Sequence, residues 1–255
     1  MAEIIAIANQ KGGVGKTTTA VNLSASLAAA EKKTLLIDMD PQGNACSGVG
    51  ISTEDLEVTV YDTLHDPHLV EVGIVETQLD GLNVLPSTTD LIGAELELVS
   101  AEQREFRLRK VIDRVAGNYD YVIIDCPPSL GLLTINSLTA AGSVIVPLQC
   151  EYYAMEGLSQ LMKTIGLVQQ GLNAKLFLRG IVLTMFDRRN NLSHQVSEEV
   201  RAHFQEKVFN AVIPRNVRLS EAPSHGTPVL LYDIASRGAT AYLDLAQEVI
   251  KTRGS

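Results

Sequence analysis

Lys11-Gly12-Gly13-Val14-Gly15-Lys16-Thr17-Thr18 follows an apolar run at 3–9, Glu-Ile-Ile-Ala-Ile-Ala-Asn, and opens a run rich in Ala, Leu and Thr at 16–31. Strand, glycine-rich loop, helix is the context that a phosphate-binding loop requires. Glycines let backbone N–H groups close around phosphate oxygens with no Cβ in the way. The helix N-terminus adds positive partial charge at the same place. Lys16 is placed to reach the β- and γ-phosphates of a nucleotide, and the Thr17 hydroxyl to ligate Mg2+.

The loop departs from the common pattern G-x-x-x-x-G-K-[ST]. Position 10, where the first glycine belongs, is Gln10, and a second lysine, Lys11, heads the loop. Lys16 already serves the phosphates of its own loop. A Lys11 that projects out of the loop is placed to reach a nucleotide in a facing subunit.

The chain has 255 residues, 45% of them hydrophobic, enough to bury a full core as one α/β domain over 1–255. No apolar stretch approaches the roughly 20 residues that cross a bilayer. The N-terminus lacks a basic segment followed by an apolar signal-type run. Cys46, Cys126 and Cys150 are odd in number and have no metal-type spacing, so free thiols in a reducing cytoplasm are expected. The net charge is −9, but it is unevenly spread. Residues 175–218 hold eight Lys/Arg against four acids, a net +4, which leaves −13 on the rest. A basic C-terminal third on an acidic body touches a polyanion with one face only.

Short apolar runs with little polar alternation lie at 4–8, 34–37, 82–85, 121–124, 144–147, 180–184 and 208–213. Such runs suit strands buried on both faces of a parallel sheet. Helix-like stretches at 16–31, 91–99, 105–116, 130–141, 156–170, 193–205 and 240–251 fall between and after them. The alternation predicts an α/β fold, a doubly wound, mostly parallel sheet flanked by helices, and the loop at 11–18 makes it one of P-loop type. Ligands then bind at the carboxyl ends of the strands, where the loop at 11–18 lies. Residues 44–80 are the least regular part.

Two acidic sites belong with the loop. In Leu35-Leu36-Ile37-Asp38-Met39-Asp40-Pro41-Gln42-Gly43 an apolar strand delivers two carboxylates into a turn marked by Pro41 and Gly43. Asp40 orients or deprotonates the attacking water; Asp38 acts through Mg2+ or supports the loop. In Tyr121-Val122-Ile123-Ile124-Asp125-Cys126-Pro127-Pro128 the strand ends on Asp125, placed to hold Mg2+ directly or through water. Cys126 beside it reads as packing. The following Pro127-Pro128 turn has the rigidity of a γ-phosphate switch.

Residues 11–18, Asp38-Met39-Asp40-Pro41-Gln42-Gly43-Asn44 and Asp125-Cys126-Pro127-Pro128-Ser129 resemble the deviant Walker A, Walker A′ and Walker B motifs of the ParA/MinD ATPases. The match extends over essentially the whole chain and is best with the chromosomal partitioning branch. Cys150-Glu151-Tyr152-Tyr153-Ala154 and Ile213-Pro214-Arg215-Asn216-Val217-Arg218-Leu219-Ser220-Glu221-Ala222-Pro223-Ser224 resemble that branch too. The resemblance implies a homodimer that sandwiches two ATP molecules with Mg2+. It assigns Lys11 to the partner's site, Asp40 to hydrolysis and the metal, Asp125 to the metal, and Pro214 and Asn216 to the base. It also implies that the ATP-bound dimer binds non-specific double-stranded DNA through Arg189 and Arg218, with Arg188 and Arg215 as weaker candidates. A ParB-type partner then stimulates hydrolysis, in a cytoplasmic, nucleoid-associated cycle that moves DNA.

Rival readings on the same loop find less support. A membrane-cycling relative needs a basic amphipathic C-terminal helix, whereas the tail at 242–255 is short and carries acids. An iron–sulfur reductase needs cluster cysteines, and the three here do not fit. A small-molecule ligase or kinase needs a second substrate pocket that the sequence does not point to. With the loop starting so early, the helix-turn-helix domain of some plasmid relatives is expected to be absent, and no membrane partner is expected.

Overall fold

The computed structural model describes residues 2–54 and 56–252. The last residues of the tail at 242–255, from 253 on, lie outside the described residues. The strands are β1 Glu3–Ile7, β2 Thr34–Asp38, β3 Val75–Glu76, β4 Leu82–Leu85, β5 Tyr121–Asp125, β6 Ser143–Gln149, β7 Phe177–Phe186 and β8 Val208–Pro214. They form one sheet in the order β3-β4-β2-β5-β1-β6-β7-β8. All pairings are parallel except β3 with β4. The expected doubly wound fold is therefore the observed one.

Each predicted strand exists: 82–85 is matched end to end, and the other ends move by no more than three residues. β7 gains most, because its first residues pair with β6 although their side chains are partly exposed. The two-residue β3 has no run long enough to show a period. The irregular stretch at 44–80 holds the short helices Asn44–Gly48, Val60–His65 and Val70–Gly73, each under two turns.

Side-chain alternation divides the core into two layers. Ala6, Leu35, Ile37, Val122, Ile124, Val144 and Val146 meet helices Arg107–Val115, Leu132–Ala140, Ala154–Gly171 and Asn191–Phe204. Ile5, Ile7, Leu36, Ile123, Ile145 and Val182 meet helices Lys16–Ala29 and Arg237–Lys251. All five residues of β2 and of β5 are buried, which explains why those runs carry no polar alternation. Each such Ile, Leu or Val contributes about 1.5–3 kcal/mol of burial.

The order of strands also fixes where a ligand goes. β1 lies between β5 and β6, and the chain leaves β1 toward β2 on one side while the later strands β6, β7 and β8 build the other. That reversal leaves a crevice at the carboxyl end of β1, where the glycine-rich loop begins.

Candidate active site

The loop takes its shape from backbone angles rather than from crowding. Gly13 and Gly15 have φ of 72° and 87°, in the left-handed region, while a Cβ on Gly13 would meet nothing within 4 Å. Gly15 is also the N-cap of helix Lys16–Ala29, with no side-chain cap. The first-turn N–H groups, which a Ser or Asp cap would otherwise occupy, thus remain for an anion.

Strands β6 and β7, on one side of β1, hold the loop. The Asn9 side chain donates to the Pro147 carbonyl at 2.7 Å and accepts from the Lys11 N–H at 3.1 Å. The Thr184 hydroxyl, at the end of β7, donates to the Val14 carbonyl at 2.9 Å. β7 then bulges: Leu183 pairs with Val212 and Phe186 with Pro214, so three steps on one strand match two on the other. Met185, at φ 48°, is the residue that absorbs the difference. Neither Asn9 nor Thr184 stands out in the sequence, because each is a lone polar residue at a strand end.

Loop, acidic turn and C-terminal segment enclose one cleft of about 590 Å3. Gly12, Gly13, Gly15, Lys16, Thr17, Thr18 and Asp40 line one wall, and Pro214, Arg215 and Asn216 the other. The structure thus brings together residues about 200 positions apart in the chain, those at 12–18 expected at the phosphates and Pro214 and Asn216 expected at the base. Asn216 also caps the short helix Val217–Glu221, its side chain accepting from the Arg218 N–H at 2.8 Å. Tyr242 reaches the same cleft and meets the Thr19 hydroxyl at 3.2 Å.

Lys16 is 6% exposed, and its Nζ donates to the Lys11 carbonyl at 3.2 Å. Burial lowers its pKa, opposed by the charges of Asp125, Cys126 and Asp40. The two Asp residues of the turn divide the work. Asp38 is fully buried and accepts from the N–H groups of Asp40 at 3.0 Å, Ala45 at 3.0 Å and Cys46 at 3.2 Å. It therefore stands in for the missing cap of helix Asn44–Gly48, which starts on left-handed Gly43. Burial pushes the Asp38 carboxyl up to about 6 despite those bonds. Asp40 lies at the cleft; its Oδ1 accepts from the Gln42 N–H at 3.0 Å, and its carbonyl accepts from the Ser87 hydroxyl at 2.9 Å.

Asp125 sits beside Asp38 in the β2–β5 register and is fully buried. Neither of its carboxylate oxygens has a hydrogen-bond partner among the described residues. Burial raises it well above the ordinary carboxylate range and the Asp38 charge adds to this, while the Thr17 hydroxyl and Lys16 pull the other way. A buried carboxylate without partners, below a threonine hydroxyl and a lysine, fits a hard divalent cation shared with phosphate oxygens. No cluster of three or more His, Cys, Asp or Glu suited to a metal exists among the described residues.

Lys11 does not line this cleft. Its Nζ meets the Glu151 carboxylate at 2.6 Å, with 40% and 47% of the two side chains exposed. A pair this exposed is worth about 1 kcal/mol or less, so Lys11 leaves it at little cost. Val14 points into the core at 1% exposure, so it contributes backbone only. Arg189 and Arg218 also lie off the nucleotide wall. Arg189, 90% exposed, pairs with Asp187 at 3.2 Å. Arg218 is tied to Glu221 at 2.8 Å and Asp233 at 3.2 Å, with Tyr232 beneath it. The three cysteines are free and buried, and burial raises Cys126 to about 12 and Cys150 to about 11.

Residues 2–178 match the protein family described as AAA domain. The chain is 61% identical over 249 residues to the sporulation initiation inhibitor protein Soj of Bacillus subtilis (strain 168), with 98% of each chain covered. It is 60% identical over 248 residues to the chromosome partitioning protein ParA of Myxococcus xanthus (strain DK1622), covering 97% of this chain and 88% of that one. Among solved structures it resembles cobyrinic acid a,c-diamide synthase from Mycobacterium smegmatis with bound ATP analogue and magnesium, at TM-score 0.86 and 38% identity over 98% of this chain and 95% of that one. With this loop geometry, this sheet and these relatives, the chain belongs to the ParA/MinD family of P-loop ATPases, in the branch of the ParA and Soj partitioning proteins.

Proposed function

We propose that this partition ATPase dimerises around ATP, binds duplex DNA without sequence preference in that state, and is released when a ParB-type partner stimulates hydrolysis. The observation that carries the reading is the division of labour between two lysines of one loop. Lys16 lies buried against its own cleft, while Lys11 is turned away from it into an exposed, weak pair with Glu151.

The chain hydrolyses ATP with Mg2+. Amides of residues 12–18 and the start of helix Lys16–Ala29 hold the phosphates, and Lys16 neutralises the β/γ side. Pro214 and Asn216 pack around the base. Asp40, which lines the cleft, orients the attacking water. Thr17, Asp40 and Asp125 would hold Mg2+, which would offset negative charge on the phosphates. Lys11 leaves Glu151 and reaches the nucleotide of the facing subunit, so nucleotide and dimer interface form together. Loss of the γ-phosphate removes those contacts and weakens the pair. Arg189 and Arg218, doubled in the dimer, contact phosphates of the duplex. No helix among the described residues is long and apolar enough to cross a membrane. The working site of this cycle is the cytoplasm, on the nucleoid.

The test is binding of a random-sequence duplex with ATP·Mg2+ against ADP·Mg2+ over a salt series. ATP-dependent, salt-sensitive binding that ignores sequence is the expected result. Equal or absent binding with both nucleotides would remove the DNA role and leave the ATPase.

A further inference from the structure

Asp40 reaches the cleft from a turn that is braced by the neighbouring strand. β4 runs parallel to β2 with Leu85 in register with Ile37, so the two chains leave the sheet side by side. Two residues past β4 stands Ser87, which is fully buried and is not among the residues that line the cleft. Its hydroxyl donates to the Asp40 carbonyl at 2.9 Å; the Thr88 carbonyl is farther off at 3.4 Å, so the one proton goes to Asp40. Its N–H donates to the Cys46 Sγ at 3.4 Å. Its carbonyl oxygen lies 3.2 Å from where a Cβ on Gly43 would stand. One residue therefore touches the turn at Asp40, Gly43 and Cys46. The brace is fixed on its far side, where the Pro86 carbonyl accepts from the Val60 N–H at 2.7 Å. The Asp40 N–H donates to Asp38 at 3.0 Å, and the Asp40 carbonyl also accepts from the Gly43 N–H at 3.0 Å. Among the described residues, the bond from Ser87 is thus the one backbone bond of Asp40 that comes from outside the turn.

We propose that Ser87 is a positioning residue for hydrolysis: through the Asp40 carbonyl it holds the Asp40 carboxylate where that group orients the attacking water. The proposal rests on the assignment of the water to Asp40. Both lone pairs of the Asp40 carbonyl are in use, one inside the turn and one toward Ser87. Without the hydroxyl the second goes unsatisfied in a dry place, and the turn moves to relieve it. The β2 ladder is untouched by that movement, so the turn shifts while the strand stays. A displacement of about 1 Å at a reacting group lowers a rate up to about 100-fold. Ser87 faces neither the phosphate wall nor the base wall, so nucleotide affinity is not what it controls.

The experiment compares the full chain as wild type, Ser87→Ala, Ser87→Thr and Asp40→Ala. It reads ATP turnover with Mg2+, affinity for a fluorescent ATP analogue, thermal melting, and amide hydrogen exchange at 40–46 in the nucleotide-free chain. For Ser87→Ala the expected result is a kcat lowered about 10-fold to about 100-fold, with wild-type ATP affinity. Its exchange at 40–46 should quicken while that of β2 holds. Ser87→Thr keeps the donor and should stay close to wild type in both kcat and exchange. A serine that serves the fold alone would lower the melting temperature of Ser87→Ala and leave kcat below the transition unchanged. That outcome overturns the proposal, as does an equal loss of kcat in a Ser87→Thr that melts like wild type. Normal turnover in Asp40→Ala overturns the assignment of the water and the proposal with it. An inactive Asp40→Ala beside a fully active Ser87→Ala overturns the proposal alone.

Discussion

Replacing Thr184 by valine tests whether the loop is held in its binding shape from outside. Thr184 and Val14 are each 1% exposed, and one hydroxyl-to-carbonyl bond of 2.9 Å joins them. Valine has nearly the same shape, so the change removes the donor and leaves the Val14 carbonyl without it in a dry environment. That costs about 1–3 kcal/mol. The backbone pairing of β7 is untouched, so the loss falls on the loop before it falls on the sheet. At about 1.4 kcal/mol per tenfold, ATP affinity should drop between about 5-fold and about 150-fold. The assay is titration with a fluorescent ATP analogue, beside a thermal melt. Thr184→Ser keeps the donor and loses one methyl group, about 0.8 kcal/mol of burial. It should retain most of the affinity. Wild-type affinity in Thr184→Val, or an equal loss in Thr184→Ser, would refute the idea that this bond shapes the loop.

Asp40→Ala should keep ATP binding and ATP-dependent dimerisation while turnover falls at least 100-fold, in the range ascribed to a positioned acid–base group; normal hydrolysis would assign the water to another residue. Lys11→Ala should bind ATP as a monomer by light scattering, and a normal ATP dimer would remove its role across the interface. Asp125→Asn should lose Mg2+-dependent turnover with little loss of apo stability, since burial and the Asp38 charge disfavour its charged form against the Thr17 hydroxyl and Lys16; a melting temperature well below wild type would show a structural role instead. A thiol reagent at pH 8 should leave Cys126 and Cys150 of the native chain unmodified, because burial raises them to about 12 and about 11 and the thiolate is the reactive form. In urea, with the burial gone, all three thiols should react.

Much of the fold and the chemistry was legible because both depend on local pattern. Runs such as 121–124 are too apolar and too short for anything but a buried strand, and Gly13 and Gly15 mark backbone angles that other residues avoid. The spacing of Lys16 and Thr17 behind those glycines pointed to phosphate chemistry before any geometry was known. Tertiary structure alone decided which distant groups meet. It placed Pro214 and Asn216 opposite the loop, paired Lys11 with Glu151, and gave Asp38 to the backbone of helix Asn44–Gly48. It also made Thr184 and Asn9 the struts of the loop, and tied Ser87 to the Asp40 carbonyl. The reason is that backbone preference and hydrophobic period are written within a dozen residues, whereas a hydrogen bond or a shared cavity between residues far apart in sequence exists only once the strand order has brought them together.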